Sequence, residues 1–229
     1  MTRALPIVAL DVPDSGRALG IVDLLGDQCR FYKIGSELFA AAGPDVVRAV
    51  KERGAEVFLD LKFHDIPHTV RGAVASAASL GVRLLTVHAS GGPAMLRAAV
   101  EAAGPECRIL AVTVLTSLDA AALAQCWGKP VPDVAAEVLR LAGLARDAGA
   151  HGIVCSGLEA GMIRDRYGAA LATLVPGVRL AGTASQDQAR VVTPRQAADA
   201  GARYVVLGRA VTGAKSPRDA MSDVLTDLS

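Results

Sequence analysis

"ERGAEVFLDLKFHDI", residues 52–66, decides how the rest of the chain is read. A helix-like stretch stops at Gly54, one residue follows, and a β-rich run begins. Glycine suits the left-handed position that closes a helix, because it has no Cβ to clash there. The same joint recurs in "SLGVRLLTVH", "DAGAHGIVCS" and "DAGARYVVLG", with Gly81, Gly149 and Gly201 at the equivalent place. The chain is therefore punctuated by helix-to-strand joints.

Working outward from these joints yields eight strand candidates: "IVALDV", "FYKIGS", "VFLDLKF", "LLTVHA", "ILAVTVLT", "GIVCSG", "TLVPGVR" and "YVVLGRAV". Near-continuous apolar runs of this length fit parallel strands covered on both faces. Between them, 45–53 and 133–148 carry apolar residues at three- and four-residue steps, the spacing of amphipathic helices. Eight strand–helix units in 229 residues predict a single (β/α)8 TIM barrel domain spanning 1–229. An open doubly wound sheet is the alternative; the absence of GxGxxG after the first strand weakens its dinucleotide-binding version.

Composition narrows the function classes. With 24 basic and 23 acidic residues, no long-range field favours nucleic acid or a membrane surface, and 3% aromatic residues offer few stacking platforms. The four cysteines are scattered, with neither a CxxC pair nor zinc-finger spacing, so four reduced thiols in the cytoplasm are expected. The run "ALPIVAL" is cut short by Asp11, and no apolar stretch approaches the roughly 20 residues a membrane span needs.

A barrel carries its chemistry at the C-terminal ends of its strands. Polar residues concentrate there, most densely in "LDLKFHDI". Strand alternation turns Asp60 and Lys62 to one face and Leu59, Leu61 and Phe63 to the other. A buried ion pair is the plain explanation, but such pairs are weak stabilisers because desolvation offsets the Coulomb gain. With Asp65 just beyond, two carboxylates near one ammonium would each contribute roughly 4 kcal/mol at 4 Å under an effective dielectric of 20. That environment suits a positioned cation and proton donor better than a Schiff-base nucleophile.

These residues carry a resemblance. "DLKFHDIPHT", 60–69, resembles the D-x-K-x-x-D-I-P-x-T signature of the orotidine 5′-monophosphate decarboxylase family, whose members are (β/α)8 enzymes of pyrimidine biosynthesis. "VALDV", "FYKIGSELF", "VHASGG", "VTVLTS", "PGVRLAG", "DQARVVTP" and "LGRAV" follow in that family's order, so the likeness covers essentially the whole chain. It implies cofactor-independent conversion of orotidine 5′-monophosphate to uridine 5′-monophosphate. Lys62 would protonate C6, Asp60 would lie beside the departing carboxylate, and Asp65 would enter across a homodimer interface.

The resemblance also implies roles for substrate-binding residues. Asp11 would accept from a ribose hydroxyl; on its own it could equally be a cap or turn former. Lys33 would contact ribose and join the charge network. Thr69 belongs to the shared site near Asp65, and Thr116 with Ser117 to the pyrimidine region; in isolation either threonine is an ordinary β-former or cap. Gln188 would bridge phosphate and base, and Arg179 would be a substrate contact or a loop anchor. Gly208 and Arg209 are a phosphate signal even without the likeness, since bare backbone and a guanidinium converge after the eighth strand.

The chain departs from the family in carrying His68 where asparagine is usual. His64, Asp65 and His68 do not share a helical face, so no metal site is expected. His88 reads as a satisfied barrel residue, and His151 begins a strand at the opposite end. A magnesium-dependent sugar-phosphate decarboxylase or aldolase of the same barrel superfamily shares D-x-K-x-x-D, but "HDIP" and "DQARVVTP" count against it. A non-catalytic phosphate-ligand barrel would not need the complete Asp60, Lys62 and Asp65 set.

Overall fold

The computed structural model describes residues 4–180 and 192–229. Its eight parallel strands are β1 Leu5–Ala9, β2 Phe31–Gly35, β3 Glu56–Phe63, β4 Leu84–His88, β5 Arg108–Val112, β6 Gly152–Val154, β7 Ala172–Val175 and β8 Tyr204–Leu207. They run in chain order around a closed barrel, sealed where Leu5 of β1 registers with Tyr204 of β8. The predicted helices lie at Pro44–Glu52 and Val134–Asp147. Gly54, Gly81, Gly149 and Gly201 all take positive φ, between 71° and 90°, so the joint read from sequence is a physical one.

Several strands stop earlier than the apolar runs suggested. β7 ends at Val175 because Pro176 has no N–H for the ladder and restricts the residue before it. β1, β5 and β8 likewise finish two or more residues short of Asp11, Thr116 and Arg209. Asp11 and Thr116 thus lie in loops at the barrel mouth, and Arg209 opens a short helix there.

Two apolar layers hold the barrel. Outward-facing strand residues pack with the helices in one large core, while Phe31, Phe58, Leu84, Leu110 and Tyr204 are among those filling the interior. Phe31 and Tyr204 meet edge to face, 6.4 Å between centroids. Toward the mouth, the inward positions shrink to Ala9, Val112, Val154 and Val206, which leaves an open volume above Phe58. No helix among the described residues is long and apolar enough to cross a membrane. All four cysteines are free, and three of them are buried.

At the opposite pole, His151 precedes β6. Its Nδ1 lies 3.2 Å from an Arg108 guanidinium nitrogen, and its Nε2 lies 3.1 Å from the Tyr204 hydroxyl. Burial, reinforced by the charges of Arg108, Arg203 and Arg83, pushes the imidazole down to about 4. The unfolded chain, with an ordinary value of about 6.5, therefore takes up the proton first as pH falls. Stability attributable to His151 is complete above about 6.5 and lost toward about 4. A His151→Gln variant should accordingly lose fewer degrees of Tm than the parent between pH 7 and 4.5; parallel declines in thermal scans would refute this.

Candidate active site

The mouth contains a cavity of about 520 Å³, with Phe58 among the residues lining it. Its lining includes Asp11, Lys33, Asp60, Lys62, Thr116, Arg179, Gly208 and Arg209, all of which were singled out from sequence. Gln188 lies outside the described residues.

The charged groups form an alternating chain. Lys33 Nζ is 2.8 Å from Asp11 Oδ1 and 3.6 Å from Asp60 Oδ2, and Lys62 Nζ is 2.8 Å from the same Asp60 oxygen. Alternation along β2 and β3 brings Lys33, Asp60 and Lys62 to the interior, as the apolar positions between them face the helices. Space for the chain depends on Gly35, where a Cβ would come within 3.0 Å of both Asp11 Oδ1 and Lys33 Nζ. Sequence reasoning passed over that glycine.

Asp60 is the hub. Burial alone would raise its carboxyl, but the Lys33 and Lys62 charges outweigh burial, and hydrogen bonds from Lys62 and Thr86 reinforce them. The net effect holds Asp60 below the usual carboxylate range. Thr86 is a second residue that sequence reasoning missed. Its hydroxyl donates to Asp60 Oδ1 at 2.9 Å and accepts from the Lys62 backbone N–H at 3.0 Å. The signal was present: alternation from Leu84 through Thr86 to His88 turns Thr86 inward.

β3 is distorted where it delivers Lys62. Its pairing with β4 jumps from Leu59↔Leu85 to Phe63↔Val87, and Lys62 has φ of 50°, the one positive value among the described non-glycine residues. Such a conformation is sparsely populated for a long side chain and persists only when its surroundings hold it. His88 closes β4 nearby, with its ring 5.3 Å from His64. Burial first, then the neighbouring His64 and Lys62, lower its pKa.

Asp65 and Thr69 behave differently. Both are exposed, Asp65 Oδ1 accepts from the Ile66 N–H at 2.6 Å, and neither residue lines the cavity. Between them Ile66 is 65% exposed, an apolar side chain facing outward beside the mouth. The charged chain at the cavity wall thus comprises Asp11, Lys33, Asp60 and Lys62.

Residues 5–224 match the family model described as "Orotidine 5'-phosphate decarboxylase / HUMPS family". The chain belongs to this family. An orotidine 5'-phosphate decarboxylase of Alcanivorax borkumensis is 47% identical over 233 residues, covering 100% of both chains. One from Anaeromyxobacter sp. (strain K) is 51% identical over 220 residues, 96% of each. The crystal structure of orotidine 5'-phosphate decarboxylase from Lactobacillus acidophilus superposes with a TM-score of 0.87 at 35% identity, covering 100% of both chains. In this member of the orotidine 5'-phosphate decarboxylase / HUMPS family, the closed barrel places six ionisable residues around one cavity among the described residues: Lys33, Lys62, Arg179 and Arg209 against Asp11 and Asp60. Four cations to two carboxylates leave the mouth suited to an anionic ligand.

Proposed function

We propose that this site, whose reaction is decarboxylation of orotidine 5′-monophosphate to uridine 5′-monophosphate in pyrimidine biosynthesis, works through Lys62 as proton donor. The observation that carries the proposal is the alternating chain Asp11–Lys33–Asp60–Lys62 at the cavity wall. Residues fall around the mouth in the order of a nucleotide's parts. Arg179, Gly208 and Arg209 follow β7 and begin after β8, and hold the phosphate; Asp11 and Lys33 from β1 and β2 take the ribose. Lys62 at β3 and Thr116 after β5 receive the pyrimidine. A volume of about 520 Å³ falls within the range of small-molecule sites.

As carbon dioxide departs, the electron pair of the broken C–C bond stays on C6. Lys62 Nζ stabilises that charge and transfers a proton to it, leaving a neutral amine that solvent reprotonates. Asp60, placed beside the substrate carboxylate, disfavours the bound ground state more than the transition state, because the negative charge is leaving the carboxylate. Gln188 bridges phosphate and base. Binding energy from the remote phosphate thereby contributes to the rate at the base.

The working unit is a cytoplasmic homodimer, each protomer being one catalytic domain over 1–229. Exposure of Asp65, Thr69 and the apolar Ile66 beside the mouth supports a partner contact there. Across it, Asp65 extends the charged chain beyond Lys62, and Thr69 joins the substrate site. Neither a metal nor an organic helper is required by these steps. With orotidine 5′-monophosphate in excess EDTA, the substrate's ultraviolet absorbance should fall. No loss there, together with turnover of 3-keto-gulonate 6-phosphate after magnesium is added, would transfer the site to the sugar-phosphate chemistry.

A further inference from the structure

The distortion of β3 leaves a main-chain group to be satisfied. Between the pairs Leu59↔Leu85 and Phe63↔Val87, three residues of β3 stand opposite Thr86 alone. The Lys62 N–H turns instead to the Thr86 hydroxyl, and that hydroxyl has one proton to give, which it gives to Asp60 Oδ1. The other carboxylate oxygen accepts from Lys62 Nζ at 2.8 Å. A closed ring results: backbone nitrogen of Lys62, Thr86 Oγ1, the two oxygens of Asp60, and the ammonium of the same lysine. Lys62 is thus gripped at both ends of its side chain. Thr86 is 0% exposed, so water does not compete for either bond.

We propose that Thr86 is a positioning residue for decarboxylation, the element that fixes the left-handed backbone of Lys62 and the Asp60 carboxylate in one register so that the ammonium meets C6. The inference rests on the reading of Lys62 as proton donor. Only a group that accepts and donates through a single atom closes this ring. Valine matches threonine in shape but can do neither, and a thiol does both weakly. A register error of the order of 1 Å at the ammonium should fall on the chemical step and leave nucleotide binding intact, because the phosphate and ribose contacts lie on other strands.

Thr86→Ser and Thr86→Cys provide the test, since they remove the same methyl and differ in one atom. The serine variant should keep kcat within about fivefold of the parent, and the cysteine variant should lose about 10–100-fold, with KM and the Kd for uridine 5′-monophosphate little changed in both. Loss of the hydroxyl donor should also move the acid limb of kcat, where Asp60 takes a proton, up by roughly half to one pH unit in the cysteine variant alone. A merely structural role would lower Tm and the active fraction of both variants without moving the limb. Equal kcat and pH profiles for serine and cysteine would overturn the inference. Lys62→Ala, assayed alongside, separates the two readings: brisk turnover by that variant removes the proton-donor role itself, whereas a dead Lys62→Ala with equal Thr86 variants removes only the role of Thr86.

Discussion

With Lys62 as the proposed proton donor, replacing it with alanine should leave a protein that binds uridine 5′-monophosphate but decarboxylates about 10,000-fold or more slowly. Two contributions disappear together. One is proton delivery to C6, worth about 100–10,000-fold for a placed acid. The other is the positive charge nearest the developing carbanion, of the kind whose removal alone typically costs about 100–1,000-fold. Binding survives because Arg179, Arg209, Gly208, Asp11 and Lys33 belong to other elements of the cavity wall. Asp60 keeps Lys33 at 3.6 Å and the Thr86 hydroxyl at 2.9 Å, so its carboxylate is not abandoned. Steady-state kinetics and equilibrium nucleotide binding on the same preparation check both halves. A variant that retains brisk turnover would remove Lys62 from the chemistry.

If the proposed homodimer shares its sites, mixing inactive Asp65→Ala and Lys62→Ala protomers should restore activity. In the single chain the Asp65 carboxylate accepts from the Ile66 N–H on an exposed stretch, away from the cavity lining. If each site combines Lys62 of one subunit with Asp65 of the other, the mixed dimer has one site with both groups and one with neither. Random exchange makes half the dimers mixed, so recovery approaches about one quarter of parental activity in a two-fold symmetric assembly. Verified mixed dimers without recovery would sink the shared site.

Much of this architecture could be read from residues alone, and what could not has identifiable causes. The four glycine joints were legible because positive φ at a helix end makes a strong local demand, and Gly54, Gly81, Gly149 and Gly201 all meet it. Asp60, Lys62 and Lys33 were legible because charge is conspicuous in strands otherwise built to be buried. Alternation along β4 turned Thr86 inward, but its role was not legible, since threonine is an ordinary strand former and its importance arises only where β3 bulges against β4. Gly35 escaped for a related reason: what it avoids is a pair of side chains brought from β2 and the β1 loop. Strand ends were overrun because apolar character continues past the last ladder bond, as at "PGV", 176–178, after β7.

The seal between Leu5 and Tyr204 joins the first strand to the last. On the ribosome, at roughly 5–20 residues per second, some 10–40 s separate the emergence of these two segments. Throughout that interval one edge of β1 remains without its neighbour, and the half of the mouth bearing the lysines is made before the half bearing Arg209 exists. The newborn chain must therefore keep an open sheet margin from pairing with other chains until β8 emerges, and the cavity wall is complete only once Gly208 and Arg209 have been made.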